Sequence, residues 1–411
     1  MRWLPIAVLL WTCEAAMPLQ KATSLPVDHH VDDEAAPIAP AIPAQTAAQL
    51  EALGYFPSAP TENPEDRGVT IAEAESAALN LYSSRYRASA ALVDSAGEEV
   101  HRWEAPPEDE HPSPWMHVEP LEGGDLLVIT KGVSVSRLTW SSEIVWRADV
   151  PAHHDLAVHP DDGRVLALVR RSDHLDYDGA SLPILADGVA ILSPDGEVLD
   201  RVELVPVLRP LLSSSRLRRI RDRLETSGPA GIARGGGLGD VLHVNSIEVL
   251  PRDIDGVAPR GSFLMSFRAI DRVLILDADL QEVLWTSPSG LTQGQHDATI
   301  LDDDRFLIFD NGSRRGRSRV IELDPRTNEV GWSFAPEEGL FTQLRGGAQR
   351  LSSGNTLITE SDTGRALEVT RDGELVWEFW NPHVHGAGEA ATREVIYRLN
   401  RFPRAFFGEH P

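Results

Sequence analysis

Short apolar segments recur along most of the chain, and turn-forming polar residues precede each of them. Runs of about five to six apolar residues between turns are typical of β-strands and too short for ordinary helices. The clearest runs are Asp125–Thr130, Arg164–Val169, Ser262–Phe267, Arg305–Phe309 and Asn355–Thr359. From about Arg67 onward, this pattern predicts an all-β chain.

A second pattern repeats between these strands. It consists of an acidic or glycine-containing turn followed by a strand with an aromatic or apolar residue near its end. Trp285, Trp332 and Trp377 are 47 and 45 residues apart, a period that is typical of β-propellers. Six copies predict a six-bladed β-propeller over residues 69–411, closed by an N-terminal strand near Ala90–Val93 that pairs with the last blade. The copies are Asp94–Trp103, Trp140–Trp146, Ser193–Val202, Asp277–Trp285, Asp324–Trp332 and Thr370–Trp377.

One insertion, residues 206–238, interrupts the period. Leu217, Ile220 and Leu224 share one face of a predicted amphipathic helix, and arginines surround them. A basic amphipathic helix can bind membranes or anions, but we expect this one to pack on the propeller.

The N-terminus has the pattern of an export signal. Residues 1–16 carry Arg2, an apolar stretch and small residues at a cleavage site, and residues 17–68 form an Ala/Pro-rich linker. We therefore expect a periplasmic or secreted protein. Cys13 is the only cysteine, and its acylation would instead tether the protein to a membrane as a lipoprotein.

Composition narrows the chemistry. The formal net charge of −25 argues against a nucleic-acid partner, which requires a basic surface. Without Cys13 the mature chain has no thiol, which excludes disulfides, zinc–thiolate sites and a cysteine nucleophile. We predict no cofactor and no metal.

Four histidines stand at a similar distance before the apolar strands of successive blades: His117, His154, His243 and His296. In a propeller such positions face the central channel, so distant imidazoles can converge there. The segment Asp310–Arg319 adds Arg314 and Arg315, whose side chains could reach the same mouth of the channel. Imidazoles with guanidinium groups favour binding of an oxyanion, although a repeat can also retain histidine only to bond neighbouring blades.

Several stretches together resemble the arylsulfotransferase (ASST) family of bacterial six-bladed propellers. The resemblance covers about residues 68–407 in order and includes the AHHD, HVNSIEVL, QHD, FDNG and RSRVIEL segments. It implies transfer of a sulfuryl group from a phenolic sulfate ester to a phenol, outside the cytoplasm, through a covalent sulfohistidine. The implied partners are thus an aryl sulfate donor and a phenolic acceptor.

The resemblance also suggests site residues. His243 and His296 are similar to two family histidines, and Arg314 is similar to the arginine that binds sulfate. It places the reactive histidine of the family near Gly346–Gln349, where this chain has none. Either His154 or His296 then takes that role, or the protein binds its ligand without this chemistry.

We favour His296 as the reactive residue, with His154 and His243 beside it. Asn245, Arg314 and Arg315 are expected to bind the oxyanion, and Asp297 could orient a ring or bond only to backbone. His117 is a weaker member of the set.

Two other classes remain open at this point. Aspartate-to-tryptophan blade motifs also occur in quinoprotein propellers, which resemble eight-bladed chains with a vicinal disulfide that this sequence lacks. A non-catalytic extracytoplasmic propeller that binds a small anion or a protein partner is the other alternative. The sequence pattern does not specify donor, acceptor or oligomeric state.

Overall fold

The computed structural model describes residues 58–73, 77–84, 87–105, 113–234, 237–336 and 339–410. Residues 1–57 lie outside this part of the chain, so the predicted signal peptide, Cys13 and most of the predicted linker are not described. Ser58–Pro60, within the range assigned to the linker, forms a short strand. Among the described residues, no helix has the length and apolar character that a membrane crossing requires.

Six antiparallel sheets of four or five strands make up the described chain. The first three follow one another along the sequence, apart from one C-terminal strand. In the first, β28 (Ile396–Phe402) pairs with β3 (Leu79–Ser84), followed by β4 (Ser89–Val93) and β5 (Glu99–Glu104). The second contains β6 (Trp115–Pro120), β7 (Leu126–Thr130), β8 (Ser134–Leu138) and β9 (Ile144–Ala148). The third contains β10 (Ala152–Val158), β11 (Val165–Tyr177), β12 (Ala180–Leu192) and β13 (Val198–Glu203).

The remaining sheets continue the same order. The fourth contains β14 (Val244–Val249), β15 (Phe263–Phe267), β16 (Arg272–Leu276) and β17 (Val283–Thr286). The fifth contains β18 (His296–Ile300), β19 (Phe306–Asp310), β20 (Arg319–Asp324) and β21 (Glu329–Phe334). The sixth contains β22 (Gly347–Arg350), β23 (Thr356–Glu360), β24 (Arg365–Val369) and β25 (Leu375–Trp380), with β2 (Gly68–Ala72) added outside β25. A small seventh sheet joins β1 (Ser58–Pro60), β27 (Thr392–Glu394) and β26 (Val384–His385).

The sheets are arranged as the blades of a β-propeller, which confirms the predicted fold class. The first strand of each large sheet contacts the first strand of the next, in the cyclic order β28, β6, β10, β14, β18, β22 and back to β28. The apolar core is likewise divided into six clusters, each formed by two neighbouring sheets.

Ring closure uses a different strand from the one that we expected. The C-terminal strand β28 pairs with β3, so the first sheet combines both ends of the propeller. Strand β4, which contains Ala90–Val93, lies one position further out and pairs with β3 and β5. Both β3 and β4 are buried along their whole length, and the pairing with β28 places β3 beside the innermost strand.

The tryptophan repeat has a structural cause. Four of the indole N–H groups donate to a backbone carbonyl in the outer hairpin turn of the next sheet, at 2.8–2.9 Å. The donor–acceptor pairs are Trp146 to Pro194, Trp285 to Pro325, Trp332 to Arg371 and Trp377 to Ser95. The last pair joins the sixth sheet to the first. The indole nitrogen of Trp103, in the first copy, is buried with no hydrogen-bond partner among the described residues, so the tie is made at four of the sheet boundaries.

Replacing Trp285 with phenylalanine should test this explanation. The substitution keeps an aromatic ring against Phe306 but removes the bond to Pro325, and a hydrogen bond of this kind contributes about 1 kcal/mol. We expect the free energy of unfolding in urea to fall by that amount. Val145→Ala, at a half-exposed outer-strand position, is the control and should change it by less than about 0.5 kcal/mol. An unchanged midpoint in the Trp285 variant would contradict the proposed tie.

The insertion packs on the propeller, as expected. Two helices, α1 (Leu204–Leu208) and α2 (Ser214–Arg234), follow the third sheet, and α2 breaks at Gly228, where φ is 63°. Leu217 and Ile220 are buried in the cluster between the third and fourth sheets, with Leu224 packed against it. Arg216 donates to the carbonyls of Gly237, Leu238 and Asp240 and so fixes the segment that leads into β14.

Candidate functional site

Three histidines from consecutive sheets meet at the inner strands. His154 lies in β10, His243 directly precedes β14, and His296 begins β18. One ring nitrogen of each lies within 4.8 Å of the others. The ring centroid of His154 is 4.9 Å from that of His243, and His296 lies 6.4 Å from both. All three are buried, with exposed fractions of 1%, 8% and 4%.

Irregular backbone brings these side chains together. The pairing of β10, β14 and β18 with their neighbours shifts register next to each histidine, which marks a β-bulge at each position. His154 and His243 also have φ values of 58° and 50°, in the left-handed region that non-glycine residues rarely adopt. Bulges re-aim side chains near functional sites, and left-handed residues cost stability unless the surroundings hold them.

Hydrogen bonds determine which nitrogen of His296 carries a proton. Its Nδ1 lies 2.8 Å from Oδ1 of Asn311 and 3.2 Å from the carbonyl of Gly294, and both are acceptors. The amide nitrogen of Asn311 donates to the carbonyls of Thr342 and Arg345, so its oxygen must face the ring. Nδ1 of His296 is therefore the protonated nitrogen. Nε2 carries the lone pair and is buried with no hydrogen-bond partner among the described residues.

A carboxylate orients the ring of His243, and a second histidine contacts that of His154. Nδ1 of His243 donates to Asp240, which leaves the lone pair on Nε2. Nδ1 of His153 and Nδ1 of His154 lie 2.6 Å apart, so one of these rings donates to the other. Nε2 of His153 lies 3.3 Å from Asp187 but makes no hydrogen bond among the described residues.

The surroundings keep the cluster uncharged. Burial is the main cause that lowers the pKa of each ring, to about 4 for His243 and well below the usual value for His154 and His296. The charge of Arg268 further lowers the pKa values of His296 and His243. Burial works to raise the pKa of Asp240, but Arg170 and His243 keep it below its usual range. At neutral pH the site thus contains neutral imidazoles beside an ionised carboxylate.

His117 and Asp297 occupy a separate layer of the channel. Arg398 pairs with Asp155 at 3.1 Å and with Asp297 at 3.0 Å, and Nε2 of His117 lies 3.2 Å from Asp155. Asp297 also accepts from the backbone of Ala348 and makes no described bond to a histidine. Asn311, and not Asp297, orients the ring of His296.

The two predicted arginines pair with carboxylates away from the histidines. The Arg314 side chain is 62% exposed and bonds Asp271 at 2.9 Å. Arg315 bonds Asp310, which also holds Arg319. Asn245 is buried in the site region, and its amide donates to the carbonyl of Gln295, the residue before His296.

Arg268 is the arginine that we did not identify in the sequence. It directly follows β15, and its backbone N–H donates to the carbonyl of His243. Its Nε is buried and has no hydrogen-bond partner among the described residues. A basic residue at the end of a strand that pairs with a histidine strand was the available signal. Asn311, Asp240 and His153 were also missed as partners of the histidines.

Gly346 and Gly347, in the segment where the resemblance expected a reactive histidine, leave no room for a side chain. A Cβ atom on Gly347 would lie 2.5 Å from Oδ2 of Asp297, inside the ion pair with Arg398. Gly346 has a φ of 116°, and a Cβ there would meet the ring of Phe309. Both glycines are therefore required by close packing.

A cavity of about 550 Å³ opens along the later parts of the inner strands, beyond the histidines. Asp155, Asp297 and Arg398 lie in its wall together with Glu119 and Glu248. Burial raises the pKa of Glu119 to about 7 and that of Glu248 to about 8. Asp155 and Asp297 in this acidic cavity directly follow His154 and His296, so the cavity and the histidine cluster share two inner strands.

Comparisons with known proteins identify a family. The family model described as Arylsulfotransferase (ASST) matches residues 117–382. No curated protein matches the chain.

Solved structures give a more distant likeness. A protein of unknown function from Bacteroides caccae has 13% sequence identity and a TM-score of 0.51, over 79% of this chain and 99% of that one. A virginiamycin B lyase from Staphylococcus aureus has 10% identity and a TM-score of 0.45, over 83% and 97%. The β-propeller domain of Cps50 (Swd1) from Myceliophteria thermophila has 11% identity and a TM-score of 0.43, over 80% and 94%.

Proposed function

Because this chain belongs to the arylsulfotransferase family, we propose that it transfers a sulfuryl group from an aryl sulfate ester to a phenol through His296. The observation that supports His296 is its bonding pattern. Asn311 and Gly294 hold Nδ1–H, and the lone pair of Nε2 is buried without a partner among the described residues. A neutral imidazole oriented in this way is an activated nucleophile at neutral pH.

The first half of the proposed reaction forms a sulfohistidine. The Nε2 lone pair of His296 attacks sulfur, the bond from sulfur to the aryl oxygen breaks, and the electron pair leaves on that oxygen. The aryl oxide takes a proton from solvent. Positive charge on the imidazole is balanced by the attached sulfonate, and Nδ1–H stays bonded to Asn311.

The second half returns the enzyme to its starting state. The acceptor phenol attacks sulfur, the N–S bond breaks, and its electron pair returns to Nε2 of His296. Nε2 of His243 takes the phenolic proton, and Asp240 stabilises the imidazolium that results. Release of that proton to solvent completes the cycle, so no cofactor is consumed.

Arg268 and Asn245 support this chemistry in different ways. The guanidinium of Arg268 stabilises the negative charge on the sulfuryl oxygens as they are transferred, an electrostatic role that is large in buried sites. Asn245 is a positioning residue, because it holds the backbone of Gln295 next to His296.

The low pKa values lead to a specific pH profile. Since the reaction needs neutral imidazoles, kcat/KM should stay constant from about pH 8 down to about pH 5 and fall only towards pH 4, near the pKa of His243. An exposed histidine would already lose activity near its usual value of about 6.5. The measurement is initial rate against pH, with circular dichroism at each pH as the check on folding. An acid limb centred near pH 6.5 would contradict neutral, buried histidines.

The direct test of the function is a coupled assay with 4-nitrophenyl sulfate as donor and phenol as acceptor. Transfer requires that nitrophenolate release and phenyl sulfate formation rise together. Without acceptor, a burst close to one nitrophenolate per protein chain is expected, because the sulfohistidine accumulates. Release without any phenyl sulfate would indicate hydrolysis, and the absence of both would reject the proposal.

Binding without turnover is the second candidate function. It is favoured by the burial of all three histidines, which limits access to a bulky aryl ester. Equilibrium binding of inorganic sulfate by protein that shows neither nitrophenolate release nor transfer would support it.

We also propose that the protein acts outside the cytoplasm. The support is the sequence of residues 1–16, with its short apolar stretch and small residues. Mass spectrometry of protein from its native host distinguishes a cleaved, soluble chain from one that is acylated at Cys13. An intact Met1 on cytosolic protein would reject export.

A further inference from the structure

We propose that His154, His243 and His296 form a binding site for one divalent transition metal of the zinc class. Three ring nitrogens within 4.8 Å of one another can reach a single ion placed between them. Zinc binds imidazole nitrogen at about 2.0–2.1 Å, and three histidines are a known ligand set that leaves one position open. No thiol and no carboxylate belongs to this group of three. The site therefore suits zinc, cobalt, nickel or copper better than calcium or magnesium.

The hydrogen bonds described above prepare all three rings for a metal. A histidine ligand must present a lone pair, and its other nitrogen commonly donates to a carboxylate or carbonyl that fixes the tautomer. His243 has Asp240 in this role, and His296 has Asn311 with Gly294. His154 is oriented through His153, which lies next to Asp187. One nitrogen of each ring thus lies close enough to the other two to reach a shared ion.

The nearby charges are mixed. Asp240 and Asp187 are both buried and lie behind the rings. Arg170 pairs with both of these carboxylates, and Arg268 adds a further positive charge. The carboxylates offset the charge of a bound cation, whereas Arg268 opposes it. Replacing Arg268 with methionine should therefore tighten metal binding. If the site binds only anions, the same replacement should instead weaken binding of the anion.

The metal and the sulfuryl group compete for one atom. Nε2 of His296 has a single lone pair, so it cannot bind zinc and attack sulfur at the same time. Zinc should therefore inhibit transfer reversibly. This consequence rests on the proposed function, whereas metal binding itself does not.

The first experiment titrates the chelator-treated, full-length mature protein with Zn²⁺ by calorimetry and with Co²⁺ by visible absorption. We expect one ion per chain and intense d–d bands of four-coordinate cobalt. Each of His154→Ala, His243→Ala and His296→Ala should weaken binding by at least a hundredfold. Asp240→Asn, which keeps all three ligands, should weaken it by about 10–100-fold.

His159→Ala is the matched control, because His159 lies in a hairpin turn beside Asp162 and away from the cluster. It should bind metal as the wild type does. Thermal unfolding without metal establishes that each variant is folded. The proposal is overturned if the wild type binds no Zn²⁺ or Co²⁺, or if the three histidine variants bind as tightly as His159→Ala.

The second experiment separates metal binding from catalysis. With the donor well below its KM, the concentration of Zn²⁺ that halves turnover should equal its dissociation constant, it should rise with donor concentration, and a chelator should restore the rate. Transfer that continues at full rate with the histidines occupied would overturn the competition. If the chelator-treated protein binds zinc but never transfers a sulfuryl group, the proposed function is rejected and the proposed metal site still stands.

Discussion

Replacing His296 with alanine is expected to lower the rate of sulfuryl transfer by on the order of 10³-fold or more, because the variant has no nucleophile at the cluster. The fold should persist, since the ring is bonded only through Nδ1 to Asn311 and Gly294. The measurement is the rate of nitrophenolate release in the presence of phenol. Mass spectrometry of the acid-sensitive sulfohistidine then identifies the histidine that carries the sulfuryl group.

The controls separate chemistry from structure. His159→Ala should keep the wild-type rate, and His296→Gln should behave like the alanine variant although it preserves volume and polarity. If His296→Ala keeps its burst and its label appears on His154, the two histidines must exchange the roles assigned here. If the label appears on neither, the reaction does not proceed through this cluster.

The close packing of Gly346 and Gly347 strengthens the case for His296. A side chain at either position would collide with Phe309 or with the Asp297–Arg398 ion pair. The absence of a histidine there is therefore built into the packing of the fifth and sixth sheets. Among the described residues, His154, His243 and His296 are the ones that come together at the inner strands, and His296 alone has its proton held by an amide that cannot rotate.

The repeat in the sequence predicted the propeller because one interaction recurs in it. The tryptophan copies mark the outer hairpins, and four of their indoles bond the turn of the next sheet. A local pattern with a fixed period can reveal such an interaction. The closing strand was harder to predict, because pairing of β28 with β3 joins residues more than 300 positions apart and leaves no local trace.

The convergence of three histidines was predicted for a similar reason. Residues at the start of inner strands in a propeller face the same channel, whatever their distance along the chain. The role of Asp297 could not be predicted from its position at the start of an inner strand. The register shift at His296 and the φ of 49° at Asp297 break the regular alternation of the strand, and Asp297 pairs with Arg398 instead of joining the cluster.

The arginines show where spacing alone fails. Arg314 and Arg315 follow β19 on a loop, and nothing in their spacing reveals that Asp271 and Asp310 hold them. Arg268 directly follows β15, and its place at the end of a strand beside the histidine strand β14 was its only signal. Only the three-dimensional structure shows that its charge acts on His243 and His296.

Replacing Arg268 with alanine should therefore lower kcat by about 10²–10³-fold, the usual loss when one positioned donor is removed from a buried oxyanion site. Arg314→Ala should have a much smaller effect, because that guanidinium is 62% exposed and already paired with Asp271. The loss in the Arg268 variant should fall mainly on kcat and less on KM, since the negative charge that it stabilises grows during transfer.

The pH profile adds a readout that a purely structural role of Arg268 would not change. Its positive charge lowers the pKa values of His243 and His296, so removing it should move the acid limb of kcat/KM to higher pH. Arg268→Lys keeps the charge and should leave that limb in place while part of the rate returns. A different outcome would be an equal loss of kcat in Arg268→Ala and Arg314→Ala and no shift of the acid limb in either variant. The sulfuryl group would then bind elsewhere in the channel.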